Sequence, residues 1–458
     1  MKRYIILLVV CVSIFCLIFA IKDKLSKSEP SSSSAQESTS TDDNLLLFNT
    51  QTSTEDIPLP TDDTTSQVTD AQVNTTDYVA LNFDIQKSMW FAFMDYSSIL
   101  LDKSESEFKQ SIEQRFENAK TLGINTVYVH VRSHGDSYYK SSIFPKGKYY
   151  NSDFDPLQVM VDVAHEKGLS IHAWINPMRC MDTQLMESQS DDYILKKWSL
   201  EYNGTYINEC DGYWYLNPYY DEVRKLICDG IAEIVSNYNV DGVNIDDYFY
   251  PTTDETFDRP CFADSNQSDL LQFRRDNVSK MVKDMYNTIK GINSTVEFGI
   301  SPQGNIDKNY NEQCADVSLW TSTEGYCDYI APQIYYGFNN STCPYIDTLN
   351  TWADLNKNSK VKLIIGLGTY KIGLEDTWAG SGSNEWIDDD NIIGCQIDYA
   401  FNNPDVDGIA IYSYSSTFEP TGDTSVIDKV SKERSYIEQA IQIQKIKNPS
   451  IIDGLFIY

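Results

Sequence analysis

Histidine is scarce in this chain, with four in 458 residues. His130 and His134, with Asp136 and Asp246, could hold a divalent cation for deacetylation or phosphodiester hydrolysis. No supporting pattern surrounds them. No Cys-x-x-Cys pair occurs, which removes zinc ribbons and thioredoxin-like redox motifs. No glycine-rich phosphate loop follows any strand candidate, so a nucleotide-binding doubly wound sheet lacks its signature. Positive charge is short as well. Lysine and arginine number 36 against 67 acidic residues, a formal net charge of -31. Such a surface argues against nucleic acid and against anionic lipid as partners. No cofactor and no metal are expected.

Long apolar runs are absent except for one. Residues 4–21, after Lys2 and Arg3, are uncharged and apolar. That length is the lower limit for a bilayer span and exceeds a typical signal-peptide core, and no small-x-small cleavage site follows. Residues 1–25 are therefore expected to be a signal anchor, or else a cleaved signal peptide, with the body outside the cytoplasm. Residues 26–78 are rich in Ser, Thr, Asp and Gln. They hold too few large apolar groups to offset their ordering entropy, so they are expected to be a disordered spacer. Eight of the ten cysteines lie in the body, where free buried thiols and disulfides are both open. Aromatics reach 13%, with 31 tyrosines, enough for sugar-stacking platforms as well as a large core.

From residue 88 onward, short β-branched or aromatic runs alternate with longer amphipathic stretches. Strands are expected at 88–96, 124–132, 169–177, 240–248, 296–302, 328–336, 361–370 and 406–414. Helical patterns separate them, several ending in Gly or Asn. Eight such units predict an α/β fold, a (β/α)8 TIM barrel, over residues 79–424, with a closing helix and tail at 425–458. In such a barrel chemistry sits at the C-terminal strand ends. A period of two assigns the apolar set of each strand to the helix layer. The polar set then faces the mouth: Arg132, Asn176, Asp246, Gln333, Tyr335 and Tyr412. The stretch VDGVNIDDYFYP, residues 240–251, ends a buried strand in two adjacent carboxylates, Asp246 facing inward and Asp247 beginning the loop. His130 and His172 sit lower and read as core residues.

The stretches IHAWINPMR, VDGVNIDDYFYP, FRRDNV, FGISPQGN and DYIAPQIYYGF occur in the same order as in glycosyl-hydrolase-like family 10. The resemblance covers about residues 88–415. It implies an extracytoplasmic (β/α)8 enzyme acting on the glycan strands of peptidoglycan, in some relatives on strands stripped of stem peptides. Motif by motif, it points to Asp246 and Asp247, to Asn176 and Arg179, to Arg132 and Asp136, and to Gln333 and Tyr335. Relatives usually carry His where this chain has Asn244.

Glycosidic cleavage needs a general acid and a second carboxylate, or the substrate's own acetamido group in place of a nucleophile. Asp246 is the expected acid, its partner being Asp247, Asp136 or Asp95. Trp174, Asn244, Tyr248, Tyr335 and Tyr412 complete the expected sugar site with Arg132, Asn176, Arg179 and Gln333. Two other readings remain: a wall-binding barrel without chemistry, and the metal-dependent hydrolase.

Overall fold

The structure is a computed structural model that describes residues 77–358 and 360–447. The apolar run and nearly all of the spacer lie outside the described residues. Among the described residues no helix is long and apolar enough to cross a membrane.

Eight parallel strands close into a barrel: β1 (Gln86–Phe91), β2 (Thr126–Arg132), β3 (Ser170–Ile175), β7 (Gly242–Ile245), β8 (Glu297–Ile300), β9 (Tyr329–Ile330), β10 (Lys362–Gly368) and β11 (Gly408–Tyr412). Each expected strand is present but shorter: β2 loses residues at its N-terminal end and keeps Arg132, β1 begins two residues earlier and ends at Phe91, and the others are trimmed at both ends, their last residues leaving the ladder to form the mouth. The alternation has a direct physical counterpart. Val127, Val129 and Val131 of β2 belong to the core between barrel and helices. Tyr128 instead joins Trp90, Trp174, Tyr329, Ile364 and Ala410 in a separate cluster inside the barrel. Parallel strands covered on both faces can be apolar throughout.

Three further short strands lie outside the alternation of strand and helix from which the barrel is read. They are β4 (Arg179–Asp182), β5 (Ile207–Cys210) and β6 (Tyr213–Leu216), antiparallel in the order β4-β6-β5 and inserted between β3 and β7. Asp211 and Gly212 join β5 to β6 with φ of 52° and 82°. Two consecutive positive φ values are what a tight hairpin with right-handed twist requires, and Asp-Gly supplies them cheaply. This dipeptide was the available signal.

The N-terminal end of the barrel is stitched by Asp241, which is fully buried. Its Oδ1 accepts from the Tyr78 hydroxyl and the Leu81 amide, both at 2.6 Å. Its Oδ2 accepts from the Ile171 amide at 2.8 Å and faces His165 Nε2 at 3.0 Å. Tyr78, the last residue assigned to the spacer, is thus part of the barrel base. At the other end of the chain the helix Thr424–Lys447 closes the ring. Its buried Glu433 accepts from the amides of Asn391, Ile393 and Gly394, at 2.7, 2.6 and 3.3 Å, at the start of the helix Ile392–Asn402. A carboxylate at that position satisfies orphan amides and complements the helix dipole.

Candidate active site

The two carboxylates that follow β7 are in unequal surroundings. Asp246 is buried, and Asp247 is partly open. Trp174 Nε1 donates to Asp246 Oδ2 at 3.0 Å, and the Tyr248 amide donates a longer bond of 3.3 Å to Oδ1. Burial, followed by the charge of Asp247, holds the Asp246 carboxyl well above the usual carboxylate range. Burial raises Asp247 too, but the amides of Gln333 and Gln313 donate to it and Arg179 attracts it. The Gln333 bond is 3.1 Å, and the same Nε2 reaches the Ser301 carbonyl at 2.9 Å. Two carboxylates this close cannot both ionise freely. Of the two, Asp246 is pushed further toward its protonated form, and Asp247 has the more donors to support a charge.

Arg179 is the cation over this pair. It opens β4 of the inserted sheet, and its guanidinium lies between two tyrosine rings, 4.5 Å from Tyr213 and 4.4 Å from Tyr248. That sandwich holds a planar charge by both of its faces. Tyr213 was not anticipated, because it sits on the missed hairpin.

An aromatic wall completes the mouth. Tyr335 and Tyr412 stack at 5.8 Å, and Tyr370 meets both edge-on, at 5.8 and 6.0 Å. Trp90 and Trp174 approach Tyr412 edge-on at 6.1 and 6.5 Å. Tyr370 and Trp90 were also missed, although both lie on anticipated strands, at an inward position or just beyond the strand end. The structure thus brings together Asp246, Asp247, Trp174, Arg179, Tyr248, Gln333, Tyr335 and Tyr412.

Three anticipated residues are elsewhere. Arg132 does not face the mouth. The β2–β3 register shifts between His130 and Arg132, which turns this side chain outward. Its guanidinium packs 4.7 Å from the Phe144 ring, and a Cβ at Gly230 of the helix Asp221–Asn237 would stand 2.0 Å from its Nη1. A one-residue irregularity exchanges the faces of a strand, so strict alternation failed there. Asp136 is committed to its own turn, its oxygens accepting from the amides of Ser133 (2.8 Å) and His134 (2.9 Å) and from the Ser133 hydroxyl. It reads as turn chemistry. Asp95 is likewise bound, to Arg115 at 3.3 Å.

Asn176 lies at the end of β3 and ties the adjacent loop, its Nδ2 donating to the Ser133 carbonyl at 2.9 Å. Asn244 is one layer below the carboxylates, donating to the Ser301 and Tyr329 hydroxyls at 3.1 Å each. It makes no hydrogen bond to either aspartate. His130 stacks on Trp174 at 3.6 Å, and His172 Nδ1 meets the Tyr329 hydroxyl at 2.9 Å. Burial lowers His134 to about 3, helped by the charge of Arg179. Among the described residues no three His, Cys, Asp or Glu side chains converge as a metal-binding group. All eight body cysteines are free.

Known proteins resemble this chain in sequence and in fold. The model of the family Glycosyl hydrolase-like 10 matches residues 86–380. The chain is 32% identical over 317 residues to glycosyl hydrolase DigH of Escherichia coli K12, covering 60% of this chain and 70% of that protein. It is 33% identical over 297 residues to glycosyl hydrolase YngK of Bacillus subtilis, covering 59% and 57%. Among solved structures, the catalytic domain of β-amylase from Paenibacillus polymyxa aligns with a TM-score of 0.51 at 12% identity, over 79% of this chain and 99% of that one. This likeness concerns the fold alone. The chain belongs to the Glycosyl hydrolase-like 10 family and is a glycoside hydrolase.

Proposed function

We propose that this enzyme cleaves the glycan backbone of peptidoglycan, with Asp246 as general acid and Asp247 as the carboxylate that orients the substrate. The observation that carries the reading is the asymmetry of the pair. Burial and its neighbour's charge push the Asp246 carboxyl strongly toward its protonated form, whereas on Asp247 the upward push of burial is opposed by amide donors and Arg179. The other anticipated carboxylates, Asp136 and Asp95, are engaged in their own turn and ion pair.

Both working carboxylates then come from one strand end, which suits an N-acetylated sugar better than a two-sided displacement. The acetamido oxygen of the substrate attacks the anomeric carbon as the glycosidic C–O bond breaks. The leaving oxygen takes the Asp246 proton, and Asp247 accepts a hydrogen bond from the acetamido N–H. Water then opens the cyclic intermediate, returning a proton to Asp246. Substrate assistance of this kind is a recognised alternative to a second catalytic carboxylate. Tyr335, Tyr412 and Trp174 offer ring faces and edges to the pyranoses.

This reading includes an extracytoplasmic body, anchored by residues 1–25 or released if they are cleaved. Purified glycan strands, with and without stem peptides, test it directly by mass spectrometry of the products. Shortened oligosaccharides, lost in Asp246→Asn, support it. Binding without any cleavage of either substrate would replace it with a wall-binding barrel.

A further inference from the structure

The Trp174 indole is held on its face as well as at its nitrogen. In the barrel register His130 of β2 lies beside Trp174 of β3, and Trp174 beside Asn244 of β7. Asp246 follows Asn244 by two residues, one layer nearer the mouth. His130, Trp174 and Asn244 therefore form a row beneath the carboxylates, and the indole reaches up from it to Asp246 Oδ2 at 3.0 Å. The His130 ring lies against that indole with centroids 3.6 Å apart and planes 10° from parallel. Tyr412 meets the same indole edge-on at 6.5 Å. Phe93, in the loop after β1, meets the imidazole edge-on at 5.3 Å.

His130 is buried. Neither ring nitrogen makes a well-formed hydrogen bond among the described residues, although the Asn176 side chain acts on the ring. Burial, with His134 and the charge of Arg179 nearby, holds its pKa well below the usual value, so the ring is neutral. A neutral imidazole in that setting is a costly way to fill a core. What it supplies is a flat face. The second torsion of a tryptophan side chain is broad, so an indole turns about it unless packing holds the plane. The N–H that serves Asp246 sits at the edge of the indole, where a small turn moves it most.

We infer that His130 is a positioning residue for glycoside cleavage: its ring fixes the plane of the Trp174 indole and so keeps Nε1–H aimed at the Asp246 carboxyl. The inference rests on the proposed function, in which Asp246 is the acid. His130 acts through Trp174 and not on the sugar. Whatever lets the indole turn takes a donor from Asp246, which favours the protonated form further and loosens the carboxyl's aim at the leaving oxygen.

The test compares two replacements in the full chain, alone and combined with Trp174→Phe. His130→Leu fills the space without a flat face, and His130→Phe restores one. The alkaline limb of kcat/KM against pH and kcat itself are measured on purified peptidoglycan glycan strands, with thermal melting as the check on folding. His130→Leu is expected to move the limb upward, by no more than Trp174→Phe alone moves it, and to lower kcat about tenfold or less. His130→Phe should stay near wild type. In the Trp174→Phe background His130→Leu should move the limb no further, because the bond it protects is already gone. Asp247, Tyr248 and Arg179, which also act on Asp246, are intact in every variant. A limb moved by Trp174→Phe but not by His130→Leu overturns the positioning role and leaves Asp246 as the acid. An equal shift in both backgrounds, or in His130→Phe as well, overturns it too, as does failure of both His130 variants to fold. A limb unmoved by Trp174→Phe, or no cleavage by the unaltered protein, removes the acid assignment and the positioning role together.

Discussion

Strand β7 is bracketed by two buried aspartates, and their surroundings are opposites. Asp241, before its first residue, has two partners on each oxygen, at 2.6 to 3.0 Å. Asp246, just past its last residue, has one indole bond at 3.0 Å and a longer amide bond at 3.3 Å, with a second aspartate beside it. A carboxylate with partners on both oxygens, drawn from separate segments, staples the chain. A carboxylate with too few donors and a like-charged neighbour keeps its proton instead. One end of the strand is organised for stability and the other for chemistry, which is the division expected between the two faces of a (β/α)8 barrel.

Neutralising each residue in turn is the strongest way to break this contrast. Asp246→Asn is expected to lower kcat by more than about 100-fold, as for a removed general acid, with thermal stability maintained. Asp241→Asn is expected to cost about 3 kcal/mol of folding stability, because amide for carboxylate turns one accepting atom into a donor against existing donors. Its kcat per folded molecule should stay near wild type. Steady-state rates combined with denaturant titration separate the two effects. A stable Asp241→Asn variant, or an unfolded Asp246→Asn one, would reverse the assignment of ends.

The pH dependence of stability sharpens the comparison. Asp246 has a raised pKa in the folded state and an ordinary value near 3.9 when unfolded. The folded state therefore holds the proton more tightly. This contribution is fully present below the unfolded pKa and is lost as pH rises through the folded one. Asp246→Asn removes the titration. The variant should gain stability relative to wild type as pH is raised from 4 to 8, with the smallest difference at the acid end. Melting temperatures across that range show it; parallel curves would mean that Asp246 is ionised throughout.

Much of this was legible beforehand, for a physical reason. A covered parallel sheet imposes apolar continuity and a period of two, so Gln333, Tyr335 and Tyr412 could be placed from spacing alone. What failed were features where local geometry departs from the period. The irregularity between His130 and Arg132 turns one side chain to the other face. The strand expected at 406–414 ends at Tyr412, and its last expected residue, Tyr414, begins a short helix and stacks on Phe91 outside the barrel. The inserted sheet, and with it Tyr213, escapes the reading because its antiparallel strands lie outside the strand–helix alternation and only the Asp211-Gly212 turn marks them. The asymmetry between Asp246 and Asp247 was half visible. The sequence places the pair at the mouth, but the side chains of Trp174, Gln333 and Gln313 that distinguish the two carboxylates are far from them in sequence.

The mildest perturbation concerns the single bond that ties the Asp246 carboxyl to the aromatic wall. Trp174→Phe keeps a ring to stack on His130 and deletes the Nε1–H that donates to Asp246 Oδ2. That bond favours the ionised form, so its loss should raise the Asp246 pKa further. If Asp246 is the acid, the rate depends on its protonated form, and the alkaline limb of kcat/KM against pH should move upward. The maximal rate should fall only about tenfold or less, since proton donation is kept and one orienting bond is lost. The direction of the limb is the informative outcome. An upward shift means that the titrating group is the one the indole touches. A limb that stays in place, with the rate reduced, assigns the pH dependence to another group and leaves Trp174 as a sugar platform alone.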